Sequence, residues 1–223
     1  AVMAYERDYC RRFPVYFIDQ YCSLYDATTS QWLPFRLWPA QIDLIKEIQT
    51  HNLIAALKAR QLGASWVVIA LILWLMVFRP AATVLMFSKR DDEAVELLDF
   101  RLKGMYQRLP EWLKVVTVER VKGKAHTYDS EREVVKAAHE WMLSNGSRAK
   151  AFPTTGGRSY TGTFVLVDEA DYVPDLNRLL EAVKPTIDAG GKLVLLSTTD
   201  KKEPLSTFKR IFRAGVAGEN DYH

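Results

Sequence analysis

Cysteine and long apolar runs are both scarce in this chain of 223 residues. Its two cysteines, Cys10 and Cys22, cannot form a disulfide framework, and no nearby Cys or His pair has zinc-ligand spacing. We therefore expect reduced thiols in a cytosolic protein. The longest apolar run, Trp66 to Phe78, is shorter than the roughly 20 residues of a membrane-spanning helix, so it predicts a core helix buried on all sides. No secretory leader pattern opens the chain, which argues against secretion.

Strong charge of one sign is also missing, because the formal net charge is +3. That balance permits a polyanionic partner without requiring one. A hydrophobic content of 48% over this length allows one large α/β domain with a full core. We expect an irregular, aromatic-rich arm packed on the core (residues 1–36), a main domain (37–215) and a short tail (216–223).

The stretch from Asn52 to Phe78 organises the chain as an apolar strand, a polar turn and an apolar helix, the layout of a phosphate-binding P-loop. The usual G-x-x-x-x-G-K-[ST] pattern would place glycine at 58 and lysine at 64. This chain has Lys58 and Ala64 there, so only Gly63 and Ser65 match. An ordinary turn between a strand and a helix is the alternative reading.

Phosphate binding requires a row of backbone N–H groups at a helix N-terminus, a nearby cation and a hydroxyl for Mg²⁺. Lys58 has a flexible stem that can bring its ammonium over the loop, and Arg60 offers a planar fork matched to phosphate oxygens. Ser65 supplies the hydroxyl. The amides belong to five consecutive residues: Gln61, Leu62, Gly63, Ala64 and Ser65.

A helix is predicted just upstream, because Pro39 suits a first helical turn and Ile42, Ile45 and Ile48 follow at helical spacing. Gln41 lies in that first turn. Its amide can donate to and accept from adenine together, which makes it a candidate base reader. An exposed first-turn glutamine is the alternative.

Further elements follow in order. We predict a strand from Ala81 or Ala82 to Phe87, and then a helix that begins at Asp91 and stops at Leu109-Pro110. Lys89 and Arg90, at the tip of that strand, are candidate nucleic-acid contacts or plain solvated charges. Strands or hairpins are predicted between Lys114 and Ser144, and Asn145-Gly146 predicts a hairpin turn.

A second polar strand tip follows the near-continuous apolar run Phe164 to Val167, which is typical of a central parallel strand. Asp168 and Glu169 end this run. Because open parallel sheets bind ligands at the carboxyl ends of their strands, this pair should meet the Gly63 loop. Asp168 would hold Mg²⁺ through water, and Glu169 would orient and deprotonate the attacking water. An acidic cap on the next helix is the alternative.

A third tip carries Ser197, Thr198 and Thr199 after another apolar strand, and three hydroxyls there suit a sensor of the γ-phosphate. A helix cap is the alternative. The helix predicted from about Ser206 to Arg213 is basic, so it could contact a phosphate backbone or form a solvated face. Its cations are Lys209, Arg210 and Arg213.

Taken together, the segments LWPAQ, KARQLGAS, SNGS, GRSYTG, VLVDEAD and LSTTD resemble, in order and spacing, the ATPase domain of the large terminase subunit of tailed bacteriophages. That family packages DNA into procapsids, and the resemblance covers about residues 35–200. It implies a P-loop NTPase fold of the additional-strand type, in which helices flank a mainly parallel central sheet. The implied cofactors are ATP and Mg²⁺.

The resemblance also implies partners and a place of action. These are double-stranded DNA, the portal protein of the procapsid, the small terminase subunit and further copies of the chain, which form a ring during packaging or separate as monomers. No membrane is involved, and the site of action is the cytoplasm of the infected bacterial host.

Residue roles carry over by matching position. Arg158 is the candidate for an arginine that completes a neighbouring subunit's site, with Arg148 behind it, whereas Arg60 would act within its own subunit. The remaining roles are adenine recognition by Gln41, binding of phosphates and Mg²⁺ by Lys58, Arg60, Gly63 and Ser65, a Walker B pair at Asp168 and Glu169, and a coupling motif at Ser197, Thr198 and Thr199.

Two features depart from the family pattern. Ala64 leaves the usual lysine position empty, and no acidic metal-binding nuclease segment follows the ATPase motifs, so we expect no DNA cleavage from these residues. Two other functions remain open. One is a DNA helicase or remodelling ATPase, and the other is a nucleotide-binding interaction module with little turnover.

Overall fold

The structure of the protein, a computed structural model, describes residues 2–115, 118–121, 124–127, 139–152 and 162–223. Its strands are β1 (Ser23–Asp26), β2 (Gln31–Pro34), β3 (Leu53–Leu57), β4 (Thr83–Phe87), β5 (Val118–Val121), β6 (Lys124–Thr127), β7 (Glu140–Met142), β8 (Arg148–Phe152), β9 (Phe164–Asp168) and β10 (Lys192–Ser197).

The α-helices are α1 (Val2–Arg12), α2 (Pro14–Tyr21), α3 (Pro39–Thr50), α4 (Ala64–Phe78), α5 (Asp91–Glu96), α6 (Gly104–Gln107), α7 (Leu176–Asp188) and α8 (Thr207–Val216). A π-helical segment, Leu97–Lys103, joins α5 to α6. Short 3-10 turns occupy Glu111–Leu113 and Ala170–Tyr172.

Six of these strands form the central sheet, in the order β3-β10-β9-β4-β8-β7. The first five run parallel, and β7 pairs antiparallel with β8. The prediction of a mainly parallel α/β sheet is therefore confirmed. Since parallel strands end at one edge, the loops after β3, β4, β9 and β10 meet there, which is where open sheets of this kind bind ligands.

Two apolar clusters cover the two faces of the sheet. Along β4, Val84 and Met86 face the cluster that contains α3 and α4, whereas Leu85 and Phe87 face the cluster that contains α7 and α8. This alternation follows from the period of two along a strand. All five residues of β9 are buried, as the apolar run predicted.

The helix α4 is buried on every side, as predicted, and 11 of its 15 residues are buried. Other helices cover α4 on the side that faces away from the sheet. Because both sides are covered, the helix is apolar all round and has no polar face. None of the helices in the described part of the chain is long and apolar enough to cross a membrane.

The prediction of an irregular arm over residues 1–36 was wrong, because α1, α2 and the β1-β2 hairpin lie there. Pro14 stands at the first position of α2, as Pro39 does in α3, and this is a favoured place for proline. Phe17 and Ile18 of α2 are fully buried in the same cluster as α4. The segment limits at residues 36 and 215 remain predictions.

Other sequence predictions hold with small changes. The helix expected from Asp91 begins there, although a π-helical segment interrupts it. The Asn145-Gly146 turn joins β7 to β8, with Gly146 at φ +83°. At the other end of the sheet, His223 pairs with the edge strand β3: its N–H donates to the Leu53 carbonyl at 3.0 Å, and its carbonyl accepts from the Ala55 N–H at 2.8 Å.

Candidate active site

A cleft of about 390 Å³ opens at the carboxyl edge of the sheet, where the loops after β3, β4, β9 and β10 meet. Charged and hydroxyl side chains from all four loops line it, together with residues of α5 and the π-helical segment. Its lining includes Lys58, Arg60, Gln61, Ser65, Ser88, Lys89, Glu93, Glu96, Arg101, Asp168, Glu169 and Thr198.

The loop between β3 and α4 is shaped by two residues with left-handed backbone conformations, Gln61 at φ 63° and Gly63 at φ 70°. Gly63 is also crowded, since a Cβ added there would lie 2.9 Å from the Gln41 Nε2. Only glycine meets both demands without strain. The loop thus delivers the N-terminus of α4, which begins at Ala64, to the cleft.

The Lys58 ammonium lies at the centre of the site. Its Nζ is 2.9 Å from the Ser65 Oγ, 3.1 Å from the Glu169 Oε1 and 3.2 Å from the Asp168 Oδ1. Only 13% of this side chain is exposed, so the attraction between the ammonium and both carboxylates is weakly screened. The lysine at the front of the loop therefore reaches the helix start where the usual lysine would stand.

Asp168 and Ser65 form the floor of the site, and both are buried. The Ser65 Oγ donates to the Asp168 Oδ1 at 3.1 Å, and the same oxygen accepts the Glu169 N–H at 3.1 Å. A spacing of 3.1 Å suits two neighbouring oxygen ligands of an octahedral Mg²⁺, whose bonds are about 2.1 Å long. Within the described residues, no group of three or more His, Cys, Asp or Glu could hold a metal. This donor set fits Mg²⁺, which commonly takes one or two carboxylates together with substrate phosphates and water.

Glu169 has a left-handed backbone, at φ 53° and ψ 43°, a conformation that costs a non-glycine residue roughly 1–2 kcal/mol. Its Oε1 is bound by Lys58, and its Oε2 accepts the Thr198 hydroxyl at 3.0 Å. Burial acts to raise the pKa of Glu169. The charge of Lys58, with hydrogen bonds from Lys58 and Thr198, outweighs burial and holds that pKa below its ordinary value. Glu169 is therefore an ionised carboxylate fixed at both oxygens.

The serine that ends β10 and the two threonines that follow it have different contacts. Ser197 is buried, and its Oγ accepts the Asp171 N–H at 3.0 Å. Thr198 binds Glu169 directly. Thr199 is exposed, and its carbonyl accepts the Tyr172 hydroxyl at 2.9 Å. Thr198 is thus the member of the predicted sensor that lines the cleft.

Gln41 lies beside the loop and does not belong to the described residues that line the cleft. Its Oε1 accepts the Trp38 N–H at 3.0 Å, and its Nε2 donates to the Leu62 carbonyl at 2.9 Å. In this arrangement the amide ties the start of α3 to the loop. Adenine recognition by Gln41 remains a prediction.

The predicted arginines lie in different places. Arg60 is exposed and lines the cleft next to Gln61. Leu62, which follows in the loop, is also exposed, at 47%. Arg148 begins β8 beside Thr83, at the amino ends of the strands, so it lies at the opposite edge of the sheet from the cleft. Arg158 lies outside the described residues, and its role stays a prediction.

Sequence reasoning assigned Lys209 to a solvated face or a phosphate contact, and this was wrong. Lys209 is buried, and its Nζ lies 3.0 Å from the Asp171 Oδ2. Asp171 also accepts the Asp200 N–H at 2.6 Å and the Ser206 hydroxyl. A buried ion pair therefore joins the turn after β9 to the start of α8, and its signal in the sequence was the acidic residue three positions after Asp168.

Lys89 and Arg90, the other uncertain cations, form ion pairs with Glu93 at 3.4 and 3.0 Å. Lys89 lines the cleft and lies 5.4 Å from the centre of the Tyr172 ring. Arg101 and Glu96 also line the cleft, and no local motif pointed to either of them.

Comparison with known proteins identifies the fold and the family. A family model described as terminase large subunit, T4likevirus-type, N-terminal, matches residues 55–219. This match spans most of the chain and includes the residues that line the cleft, from Lys58 to Thr198. The protein has the fold of a P-loop NTPase, and it belongs to the large terminase subunit family of bacteriophages.

Solved structures agree on the fold. The crystal structure of the bacteriophage HK97 large terminase is similar with a TM-score of 0.67 and 15% identity, covering 95% of this chain and 42% of that chain. The large terminase ATPase domain of Thermus phage P74-26 has a TM-score of 0.57 and 22% identity, covering 80% and 70%. The large terminase of a thermophilic bacteriophage in complex with ATP-gamma-S has a TM-score of 0.51 and 14% identity, covering 71% and 37%. The chain thus spans less than half of the HK97 protein.

Proposed function

We propose that this chain is a Mg²⁺-dependent ATPase motor domain that drives double-stranded DNA into procapsids. The observation that carries this proposal is the position of Lys58, whose ammonium joins Ser65 of the loop to Asp168 and Glu169 at the carboxyl edge of the sheet. Lys58 would supply the cation that a P-loop requires, although the usual sequence pattern places that lysine at position 64. Membership of the large terminase family supports the same function.

Nucleotide binding begins with the loop. The backbone N–H groups at the N-terminus of α4 and the cations Lys58 and Arg60 would hold the phosphates, because the helix end favours negative charge. Gln41 can recognise adenine only if its amide exchanges Leu62 or Trp38 for the base. Otherwise its contribution is to hold the loop in shape.

The metal would be held by Ser65 and Asp168. When bound, Mg²⁺ neutralises charge on the β- and γ-phosphates. Lys58 now lies within hydrogen-bonding distance of the Ser65 hydroxyl and the Asp168 carboxylate, so the ammonium must give way as nucleotide and metal enter.

Hydrolysis requires a water molecule in line with the γ-phosphate. Glu169 would accept a proton from this water as its oxygen bonds to the γ-phosphorus and the bond to the β–γ bridging oxygen breaks, giving ADP and phosphate. When Lys58 moves to the phosphates, Glu169 loses the main charge that lowers its pKa. The carboxylate then becomes a stronger base at the moment when a base is needed.

Coupling would pass through Thr198, which hydrogen-bonds the Glu169 carboxylate and stands at the tip of β10. Ser197 ties the same tip to Asp171, and Asp171 is bonded to Lys209 of α8. A change at the γ-phosphate thus has a continuous set of contacts to follow out of the site. Arg158 of a neighbouring copy, or Arg60 of the same copy, would stabilise charge that develops on the transferred phosphoryl group.

The partners proposed for the assembled motor are DNA, the portal protein, the small terminase subunit and further copies of the chain in a ring. Its place of action would be the cytoplasm of the infected host. The expectation that these residues cut no DNA remains a prediction.

Replacement of Glu169 by glutamine tests the site. Glu169→Gln should retain ATP binding but lose steady-state turnover, because the amide cannot accept the proton. The matched control is Glu181→Gln, which changes an exposed glutamate on α7. Both variants should be titrated with ATP and assayed for phosphate release, and unchanged turnover in Glu169→Gln would refute the assignment.

The motor itself needs the packaging system. ATPase activity should rise strongly when procapsid-portal complexes and double-stranded DNA are both present. Stimulation by single strands alone would favour a helicase. Tight ATP binding with no turnover under any of these conditions would favour a binding module.

A further inference from the structure

Arg101 lies in the cleft with an incomplete set of partners. It belongs to the π-helical segment Leu97–Lys103, and such segments often occur at functional sites. Its Nη2 donates to the Glu96 Oε1 at 3.0 Å, and its guanidinium lies 5.2 Å from the centre of the Trp66 ring. Trp66 directly follows Ser65 at the start of α4, so this guanidinium is held close to the phosphate-binding loop.

The Arg101 Nε is a buried donor for which the described residues offer no acceptor. Buried polar groups are nearly always hydrogen-bonded, and leaving a charged donor unpaired is costly. Arg101 is the sole described residue with such an atom, and the cleft that it lines is the proposed nucleotide site. An acceptor supplied by a ligand would remove this cost.

Two other cations of the cleft, Lys58 and Lys89, are held by carboxylates. Lys58 is shared between two carboxylates, and Lys89 is paired with Glu93. Glu96, the partner of Arg101, has a side chain that is 51% exposed, so it can turn away from Arg101 into water. The ion pair can therefore be broken by movement of Glu96 while Arg101 stays in place.

We propose that Arg101 binds an oxygen of the β- or γ-phosphate of the nucleotide through its Nε–H, and that Glu96 holds the guanidinium through Nη2 until the nucleotide arrives. This inference rests on the proposed ATPase function and adds a nucleotide-binding residue to it. The fork formed by Nε and Nη2 matches phosphate oxygens, and stacking on Trp66 orients it before binding. Glu96 then competes with the ligand for the Nη2 donor, whereas the Nε–H is open to the ligand alone.

The competition makes a prediction with opposite signs. Arg101→Gln should weaken ATP-gamma-S binding about tenfold, which corresponds to about 1.4 kcal/mol. Glu96→Gln should tighten it about threefold, since the competing charge is gone. In the double variant the gain from Glu96→Gln should vanish, because there is no guanidinium left to release.

The measurement is calorimetric titration of each variant with AMP, ADP and ATP-gamma-S in the presence of Mg²⁺. The loss caused by Arg101→Gln should grow from AMP to ATP-gamma-S, and Arg101→Lys should lose less than Arg101→Gln. Arg12→Gln on α1 removes an equally charged arginine that forms a 2.6 Å ion pair with Asp8, and it should leave every affinity unchanged. Thermal unfolding of each variant shows whether it is folded.

Each result separates this inference from the proposed function. If the wild-type protein binds ATP-gamma-S and Arg101→Gln binds it equally well, the inference fails and the ATPase assignment stands. An equal loss for all three nucleotides overturns the phosphate contact. A gain from Glu96→Gln that persists in the double variant reflects general electrostatics and overturns the competition. If the wild-type protein binds none of the nucleotides, both proposals fall.

Discussion

Replacement of Lys209 by methionine removes the cation from the ion pair that joins the turn after β9 to α8. The Asp171 side chain has no exposed surface, and 11% of the Lys209 side chain is exposed. Besides Asp171, the ammonium donates to the Asp200 and Glu203 carbonyls, the latter at 2.6 Å. Methionine fills a similar volume but supplies none of these donors.

The expected loss follows from what remains after the change. Asp171 keeps the Asp200 N–H and the Ser206 hydroxyl, but its charge stays buried without a cation. Breaking a buried ion pair from one side costs about 3–5 kcal/mol. For a chain of this length each kcal/mol lowers Tm by about 2–4 °C, so we expect a fall of about 6–20 °C.

Urea and thermal unfolding of four proteins measure this effect: the wild type, Lys209→Met, Asp171→Asn and the double variant. The double variant should lose less than the sum of the single losses, by about 1 kcal/mol or more, because neither charge is then left unpaired. Lys184→Met is the matched control. Lys184 is 68% exposed and forms a 2.9 Å pair with Asp188 on α7, so its removal should change stability by no more than about 0.5 kcal/mol.

A loss below about 1 kcal/mol in Lys209→Met, or strict additivity in the double variant, would refute this account of the pair. Such a result would mean that water or a rearranged α8 satisfies Asp171. Contacts other than the Asp171–Lys209 pair would then have to connect the cleft to α8.

Two further predictions concern the loop. Because the pKa of Glu169 is lowered in the folded protein, its contribution to stability is present above the ordinary glutamate pKa of about 4.3 and is lost as the pH falls through the folded pKa. Lys58→Met removes the charge that does most to lower the pKa of Glu169. The gain in unfolding free energy from pH 4 to pH 7 should therefore be smaller in this variant than in the wild type. Lys46→Met is the control: it removes an exposed lysine that pairs with Asp43, and it should leave that gain unchanged. Gly63→Ala should destabilise the protein more than Gly218→Ala, by about 1–3 kcal/mol, because both glycines have φ near +70° but only at Gly63 would the new Cβ meet Gln41. Equal losses at the two glycines would show that Gln41 yields freely.

Much of the fold could be predicted because local patterns and the rules of parallel sheets agree. The apolar run before Asp168 is typical of a strand buried on both faces, and the polar residues that follow parallel strands of this kind gather at one edge of the sheet. That reasoning placed Lys58, Ser65 and Asp168 together across more than a hundred residues of sequence. Pattern matching alone would have rejected the loop for its missing lysine.

The rest depended on packing that no local pattern carries. Arg101 enters the cleft because the helix after β4 packs beside α4, and nothing near it in the sequence marks that contact. Lys209 could not be distinguished from its neighbours Arg210 and Arg213, since a basic helix face does not reveal which cation meets a buried acid. The N-terminal helices were missed although Pro14 carried the same signal as Pro39.

The burial of α4 on every side has a mechanical consequence. Rolling or sliding this helix would exchange one set of buried apolar side chains for another, and each side chain that left the core would cost about 1.5–3 kcal/mol. The helix that carries Ser65 is therefore held in a fixed position relative to the sheet. Any movement that nucleotide binding causes would occur in the segments around α4. The end of β10 contacts Glu169 through Thr198, and the start of α8 contacts Asp171 through Lys209, so these two segments are the ones placed to move.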